Sequence, residues 1–425
     1  MSRLAEVVRQ LDETIELVTP SELAYLIRKN VKQPKRDDLR GLPTTATKSD
    51  DDDALERLAT NWSLIDAVNA DASLHWTAGP GTGAFADATL GDYARLCGTL
   101  PEDPPQHQAQ APPPTPAQDA TTIATLPDAF DWRNQSIAAK CPSISRVRDQ
   151  AGCGSCWAFG TAEAMTDRQC IASKGAVSVE LSSQDIASCA CAVPPPCTKP
   201  PCTCPKNPGP ACPCGGGCNG GQLGQAWDYY EKVGVVDGGL FGDNTTCDPY
   251  TLASCAHHTV DPKKKNCSDD VALTPDPTAC GGKQCVNGKD YTSSKHFGLS
   301  KSSKAVNGET AMMQELMAHG PLSCSFIVMD FFTAYHSGIM HGGSVSSPNG
   351  ECAGHMLGFH AIEVVGWGVD LSNASNPPLK YWVVKNSWSE DCECSNTNAP
   401  CLFCMPPSRC SVRLHVTQRY DFCRG

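Results

Sequence analysis

At 425 residues and 40% hydrophobic composition, the chain is long enough for two or three globular domains with a sizeable core. Its 34 Lys and Arg against 46 Asp and Glu give a net charge of -12, which argues against nucleic acid as a partner and suits an acidic compartment, where protonation relieves self-repulsion. Twenty-six cysteines exclude a reducing cytosol and predict disulfides, and no stretch is long and apolar enough to span a membrane.

Residues 1–58 read as an N-terminal extension: a charged helical segment around Leu4 to Leu17, a basic stretch, and a solvated acidic run from Asp50 to Asp53. Charged residues interrupt every apolar run from Met1 to Thr19, so no signal peptide is visible; the cysteines demand export, and an incomplete or misassigned start reconciles the two. Asn-x-Ser/Thr sequons at Asn61, Asn134, Asn244, Asn266 and Asn373 agree with an oxidising compartment but carry little weight. From Asn61 the text changes: Leu64, Ile65, Val68 and Asn69 suit a short helix, followed by His75-Trp-Thr-Ala-Gly79 and Leu90-Gly-Asp-Tyr-Ala-Arg-Leu-Cys-Gly-Thr-Leu100. Glu102 to Gln118, rich in Pro, Gln and Ala, reads as an exposed linker open to processing.

The stretch Asp149-Gln-Ala-Gly-Cys-Gly-Ser-Cys-Trp-Ala-Phe-Gly160 organises the rest. Small residues form a tight approach, and the apolar, proline-free run from Trp157 to Met165 continues as a helix, which places Cys156 at its N-terminus. Unpaired N–H groups and the positive dipole end favour a thiolate there. Gln150 can turn its amide toward the same spot as an oxyanion donor. A structural half-cystine, or a redox or metal pair with Cys153, is the alternative reading.

Cys189 to Gly217 alternates Cys and Pro too densely for helix or central strand; disulfides or metal ligation are its two readings. Cys218-Asn-Gly-Gly221 offers backbone to an extended peptide through Gly220 and Gly221. A cysteine-bounded segment follows, from Cys247 through Cys255, His257, His258, Cys267 and Cys280 to Cys285. Thr310 to His319 reads as a helix ended by Gly320-Pro321, and Leu322 to Phe332 as a strand. A thiol nucleophile needs a base and an orienter. His360, at the start of a β-branched run ended by glycines, and Asn386, in the strand-like Tyr381-Trp-Val-Val-Lys-Asn-Ser-Trp388, supply them, with Trp388 placed to shield a His–Asn hydrogen bond from water.

Cys153-Gly-Ser-Cys-Trp157, with the downstream His and Asn in the same order, resembles the papain-like cysteine proteases, and the segments 61–100 and 247–285 resemble the cathepsin B group. The resemblance implies an α+β fold of two lobes, a helical one carrying Cys156 and a β-barrel-like one carrying His360 and Asn386, with Tyr335-His-Ser-Gly-Ile339 on the barrel side. It implies that 59–125 is a propeptide and linker, with the propeptide running backwards through the cleft as the enzyme's own inhibitor, and that 126–391 is the catalytic domain. It pairs Cys141 with Cys170 and Cys153 with Cys218; Cys189, Cys280, Cys247, Cys285, Cys255 and Cys267 are further disulfide candidates. It makes 247–285 an occluding loop in which His257 and His258 hold a substrate's C-terminal carboxylate and Asp149 latches His257, with Lys263 to Lys265 where the family has an arginine anchor. Peptide or protein substrates, cystatin-like inhibitors, no cofactor or metal, and a lysosomal, vacuolar or extracellular location follow from the same likeness.

The likeness ends near residue 390. The tail 392–425 is cysteine-rich and lacks the family's closing strands as read from sequence, which would leave Asn386 poorly supported. Phe359 replaces a glycine before the base, crowding the cleft. These departures keep two other readings open: a secreted binding protein on a papain-like scaffold, and a metal-binding Cys-rich protein.

Overall fold

Strand-forming and helix-forming stretches alternate irregularly along the chain, and they segregate in space. The computed structural model describes residues 65–71, 75–79, 85, 88, 90–100, 126–190, 216–256, 264–267, 284–340, 356–371 and 378–389, and the backbone of 402–405 and 423–424. A helical turn over 65–70 precedes β1 (Trp76–Ala78) and helix α1 (Leu90–Leu96). Then come β2 (Phe130–Asp131) and helices α2 (Cys156–Ala172), α3 (Ser183–Cys189) and α4 (Leu223–Lys232). Four two-residue strands follow, β3 (Val235–Val236), β4 (Cys255–Ala256), β5 (Lys265–Asn266) and β6 (Lys295–His296). The remainder is β7 (Ala305–Val306), α5 (Glu309–His319), β8 (Leu322–Met329), β9 (Tyr335–Gly338), β10 (Met356–Asp370), β11 (Leu379–Lys385), β12 (Leu402–Met405) and β13 (Cys423–Arg424).

Helix α2 is buried on nearly every side from Cys156 to Asp167, which is why its sequence is small and apolar rather than amphipathic. It stops where Lys174 and Gly175 turn to positive φ, with the Gly175 N–H closing on the Cys170 carbonyl. Helix α5 ends in the same way at Gly320, whose φ of 112° is followed by a proline that cannot continue the helix.

The main sheet runs in the order β12-β11-β10-β8-β13-β7, with β2 also on β10. One apolar core lies on it, including Trp132, Ile144, Phe326, Val328, Ile362, Trp367 and Trp388. A second lies among the helices, including Trp157, Met165, Leu181, Ile186, Leu223 and Trp227. Helix α2 packs along β10, so the two lobes meet where Cys156 and His360 lie.

Several expectations are corrected. The tail supplies closing strands after all: β12 pairs antiparallel with β11, and β13 with β8 and β7. The strand from Leu322 ends at Met329, because the Asp330 carboxylate accepts the Phe331 N–H and turns the chain into a 3-10 segment. Tyr335 packs on the β-lobe core, on the barrel side as expected, and the strand partner of Tyr335 to Gly338 is β1 of the N-terminal segment. Cys189 is the last residue of α3 and Gly217 opens a 3-10 turn, so the irregular Cys/Pro run is narrower than 189–217; residues 191–215 lie outside the described residues. The extension 1–58, the linker 102–118 and the side chains of the tail also lie outside them.

The N-terminal segment docks on the β lobe. The Asn69 side chain brackets Ala78, accepting from its N–H and donating to its carbonyl, while Trp76 packs against Phe331 and Tyr335. His75 Nδ1 lies 2.9 Å from the Asp370 carboxylate at the end of β10.

Candidate active site

Cys156 is the first residue of α2 and is fully buried; it is one of two free cysteines among the described residues, the other being Cys97. Burial raises its thiol pKa, but the charge and hydrogen bonding of His360 outweigh this, the Thr99 hydroxyl and Ala361 backbone add to them, and the net shift is downward. The helix N-terminus acts in the same direction.

His360 projects from β10 across the groove. One ring nitrogen, Nε2, lies 2.7 Å from Asn386 Oδ1, which also accepts the Ser387 N–H. Because a carbonyl oxygen accepts only, Nε2 carries the hydrogen, and Nδ1 is spent on no other group, leaving it for Cys156. Asn386 sits one residue beyond the end of β11 rather than within a strand. The Trp388 ring lies 4.7 Å from the His360 ring, tilted 43° to it, with Phe326 edge-on to the same imidazole, so aromatic surface flanks the His–Asn hydrogen bond.

Gln150 is held from several sides. Its Oε1 accepts from the Ser387 hydroxyl, its N–H donates to the Ser387 carbonyl, and the Tyr250 hydroxyl donates to its own carbonyl. Its amide nitrogen donates to the Leu96 carbonyl at 3.0 Å and the Cys153 carbonyl at 2.7 Å. An N-terminal segment carbonyl therefore lies where an oxyanion donor would act.

Beyond the end of α1 at Leu96, residues 97–100 line the groove. The Gly98 N–H points at the Cys156 sulfur at 3.1 Å and the Thr99 hydroxyl lies 3.4 Å from it. Thr99 donates its N–H to the Phe359 carbonyl, and Leu100 and Gly98 exchange backbone bonds with Gly221 in a parallel bridge. Glycine at 98 is required by contact alone: a Cβ there would lie 1.6 Å from the Gly154 carbonyl oxygen. Phe85 and Tyr93 of the same N-terminal segment pack on Trp388. Phe359 is half-buried beside this strand, and Gly220 takes the positive φ that its position demands.

Cys141–Cys170 and Cys153–Cys218 are disulfides, as are Cys247–Cys285 and Cys255–Cys267; Cys189 is also disulfide-bonded. Cys324, absent from the sequence candidates, is disulfide-bonded too. His257, His258, Lys263 and Cys280 lie outside the described residues, and with them any latch to Asp149, whose carboxylate accepts the Ala151 N–H. Among the described residues no cluster of His, Cys, Asp or Glu is arranged to hold a metal, and no helix is long and apolar enough to cross a membrane.

Sequence reasoning missed two supports. Tyr250, from the 247–285 segment, hydrogen-bonds Ser155 immediately before Cys156 and packs edge-on against Phe159. Beneath the site lies a buried ionic group: Lys385 Nζ is 2.6 Å from Glu363 and 3.3 Å from Asp167, with Glu163 buried beside them. Burial, partly offset by Lys385 and Arg148, raises the Glu163 pKa from its ordinary range to about 7. A carboxyl raised on folding binds more protons folded than unfolded. Its contribution is complete below about 4.5, the ordinary carboxyl value, and is lost as pH rises through about 7. The melting temperature should therefore fall between pH 5 and pH 8; a rise across that interval would contradict this assignment.

Residues 126–394 match the family described as papain family cysteine protease. The chain is 38% identical over 268 residues to a cathepsin B-like cysteine proteinase of Schistosoma japonicum, covering 63% of this chain and 66% of the relative. It is 38% identical over 270 residues to cathepsin B-like cysteine proteinase 6 of Caenorhabditis elegans, covering 63% and 60%. The match thus spans under two thirds of either relative's length. In fold it is similar to procathepsin B S9 from Trypanosoma congolense, with a TM-score of 0.54 and 23% identity over 85% of this chain and 96% of that one. A recombinant stem bromelain precursor gives a TM-score of 0.52 at 19% identity, over 89% of this chain and 93% of that one. With a helical lobe and a β lobe meeting at Cys156 and His360, and a family match over most of both, the chain belongs to the papain family of cysteine proteases.

Proposed function

We propose that the chain is the zymogen of a cathepsin B-like cysteine peptidase. The observation that carries this is the relay Asn386–His360–Cys156 closed over by residues 96–100. His360 takes the proton from Cys156, and the thiolate attacks a peptide carbonyl. The Gln150 amide and the Cys156 backbone N–H hold the oxyanion, His360 protonates the leaving amine, and water releases the acyl group. Asn386 keeps the hydrogen on Nε2, so that Nδ1 faces the sulfur chemistry throughout.

The segment through the groove presents an N–H to sulfur rather than a carbonyl carbon, and its Leu96 carbonyl takes the Gln150 amide. That supports latency without self-cleavage, with processing in the 101–125 linker releasing the site. Its parallel bridge to Gly221 occupies the glycine backbone offered to an extended peptide. The net charge and the raised Glu163 pKa support an acidic lysosomal, vacuolar or extracellular setting. Cystatin-like inhibitors would enter the same groove. Incubating the full chain at about pH 5 tests this: a mass loss corresponding to cleavage within 101–125 should accompany the onset of peptide hydrolysis. Processing that leaves the protein without hydrolytic activity would contradict the reading.

Dipeptide release from substrate C-termini rests on His257 and His258, which protonated can bind a terminal carboxylate between the half-cystines of the loop. Replacing both by alanine should lower dipeptide release roughly tenfold more than internal cleavage, a loss on the order of 1.4 kcal/mol of carboxylate binding. An unchanged product pattern by mass spectrometry would remove this part. A non-enzymatic binding protein is less well supported, since β12 and β13 occupy the positions whose absence favoured it.

A further inference from the structure

Three carboxyl groups and one ammonium are shut in together below the catalytic groove. Glu163 and Asp167 lie seven and eleven residues beyond Cys156, two and three turns along one face of α2. Glu363 lies three residues after His360 on β10, and Lys385 is the last residue of β11, next to Asn386. Every element that carries a member of the relay thus also carries, or adjoins, a member of this cluster. None of the four side chains reaches solvent appreciably, and their residues are at most 2% exposed.

The contacts are close. Lys385 Nζ lies 2.6 Å from Glu363 Oε2 and 3.3 Å from Asp167 Oδ2, and it donates to the Ser143 carbonyl at 2.9 Å. The Ser143 hydroxyl donates to the other Asp167 oxygen, and the charge of Asp167, held by the same ammonium, disfavours ionisation of Glu363. The Glu163 oxygens meet no side-chain donor, and the backbone of Arg148 is the hydrogen-bonding group felt there.

The surrounding cations do not balance the account. Arg148 faces Glu163, but its guanidinium donates to the Leu181 carbonyl, Ser183 and Thr166 and adjoins Glu180. Arg168 is felt by Glu363, but it is bonded to Glu315 and to the Pro321 and Gly320 carbonyls. With all three acids ionised, the cluster would hold excess negative charge away from water, which is unfavourable for every ion left uncompensated. Carboxyls crowded around one ammonium hold a proton for the same reason. The upward shifts of Glu163 and Glu363, both driven first by burial, agree.

We propose that this acid–lysine cluster is the positioning element of the catalytic centre: it holds α2 against β10 and β11 while it retains a proton, and releases the Cys156–His360 alignment when that proton is lost. The proposal rests on the peptidase reading. It adds a reason for activity to fall toward neutral pH that is independent of the ionisation of the thiol and imidazole. Excess charge in a closed pocket is relieved by separating its walls, and these walls are the helix of the nucleophile and the strands of the base and its orienter.

The test is the pH dependence of kcat and KM for the processed enzyme, with Glu163→Gln and Glu363→Gln, each of which removes one ionisable acid while keeping its shape. The alkaline fall in kcat should move upward by about one pH unit, so that activity at pH 7.5 rises roughly tenfold relative to the unsubstituted enzyme, with KM little changed. The rate at which iodoacetamide alkylates Cys156 should keep its acidic plateau over the same added interval. If Glu363→Gln does not fold, Glu163→Gln alone decides. Folded variants whose alkaline fall stays in place, or moves only in KM, overturn the proposal while leaving the peptidase reading standing. An unsubstituted processed enzyme that is inactive at every pH overturns both.

Discussion

Replacing Cys156 by alanine abolishes peptide hydrolysis, lowering kcat by at least about 10⁴-fold, and leaves the fold intact. The sulfur is the atom toward which the helix N-terminus, the His360 ring and the Thr99 hydroxyl all converge, and its pKa is shifted downward despite complete burial. The other free thiol among the described residues is no rival: Cys97 points it back to the Tyr93 carbonyl, and burial pushes its pKa far up. Members of such a relay act as a unit, so losing the nucleophile forfeits nearly all of the chemical acceleration. Removing one sulfur from a side chain that packs beside Trp157 and Ala361 costs little stability by comparison. Steady-state hydrolysis of a peptide substrate, with circular dichroism as the control, checks both halves. Retained activity would refute the nucleophile assignment, and an unfolded variant would refute the claim that Cys156 serves chemistry before structure.

The second large effect is on stability. Lys385→Met should destabilise the protein by about 3–5 kcal/mol, because truncating the cation leaves Asp167 and Glu363 buried without it. Against a typical total of about 5–15 kcal/mol, that is enough to unfold a marginal domain near physiological temperature. Burial favours the neutral amine, but the carboxyls around it outweigh this and raise its pKa, so the group is charged at every working pH. Pairing the change with Glu363→Leu should recover part of the loss, since an apolar pair of similar volume avoids the desolvation cost altogether. Urea unfolding of the single and double variants measures it. A loss below about 1 kcal/mol in the single variant would mean that water reaches the cluster.

The arrangement of Cys156, His360 and Asn386 was legible in the sequence because each of the three is set by short-range rules. Gly-Ser before Cys156 and an apolar proline-free run after it dictate a helix start, and β-branched residues around His360 dictate a strand. Trp388 was readable as a cover for the same reason, lying two residues past Asn386. The buried cluster was not legible. Glu163, Asp167, Glu363 and Lys385 are ordinary charged residues until α2 is laid along β10, and nothing within any one segment marks them as inward. Tyr250 likewise becomes a support for Ser155 only through folding across nearly a hundred residues. Strand partners were the weakest point. Tyr335 to Gly338 has a strand's character, but docking of Trp76 decides that it pairs with the N-terminal segment. The tail's cysteines hid β12 and β13, whose place is fixed by the open edge of β11 and by the gap between β7 and β8.

The account depends most on Cys156 being an activated thiolate within reach of His360 once residues 96–100 have left the groove. Labelling the processed protein at pH 5 to 6 with a thiol-directed peptide epoxide, followed by peptide mass mapping, reads this directly. One equivalent of label on Cys156, lost in His360→Ala and blocked in the unprocessed chain, is the predicted result. No label on Cys156 in the processed protein, or labelling there that is indifferent to His360, would contradict it.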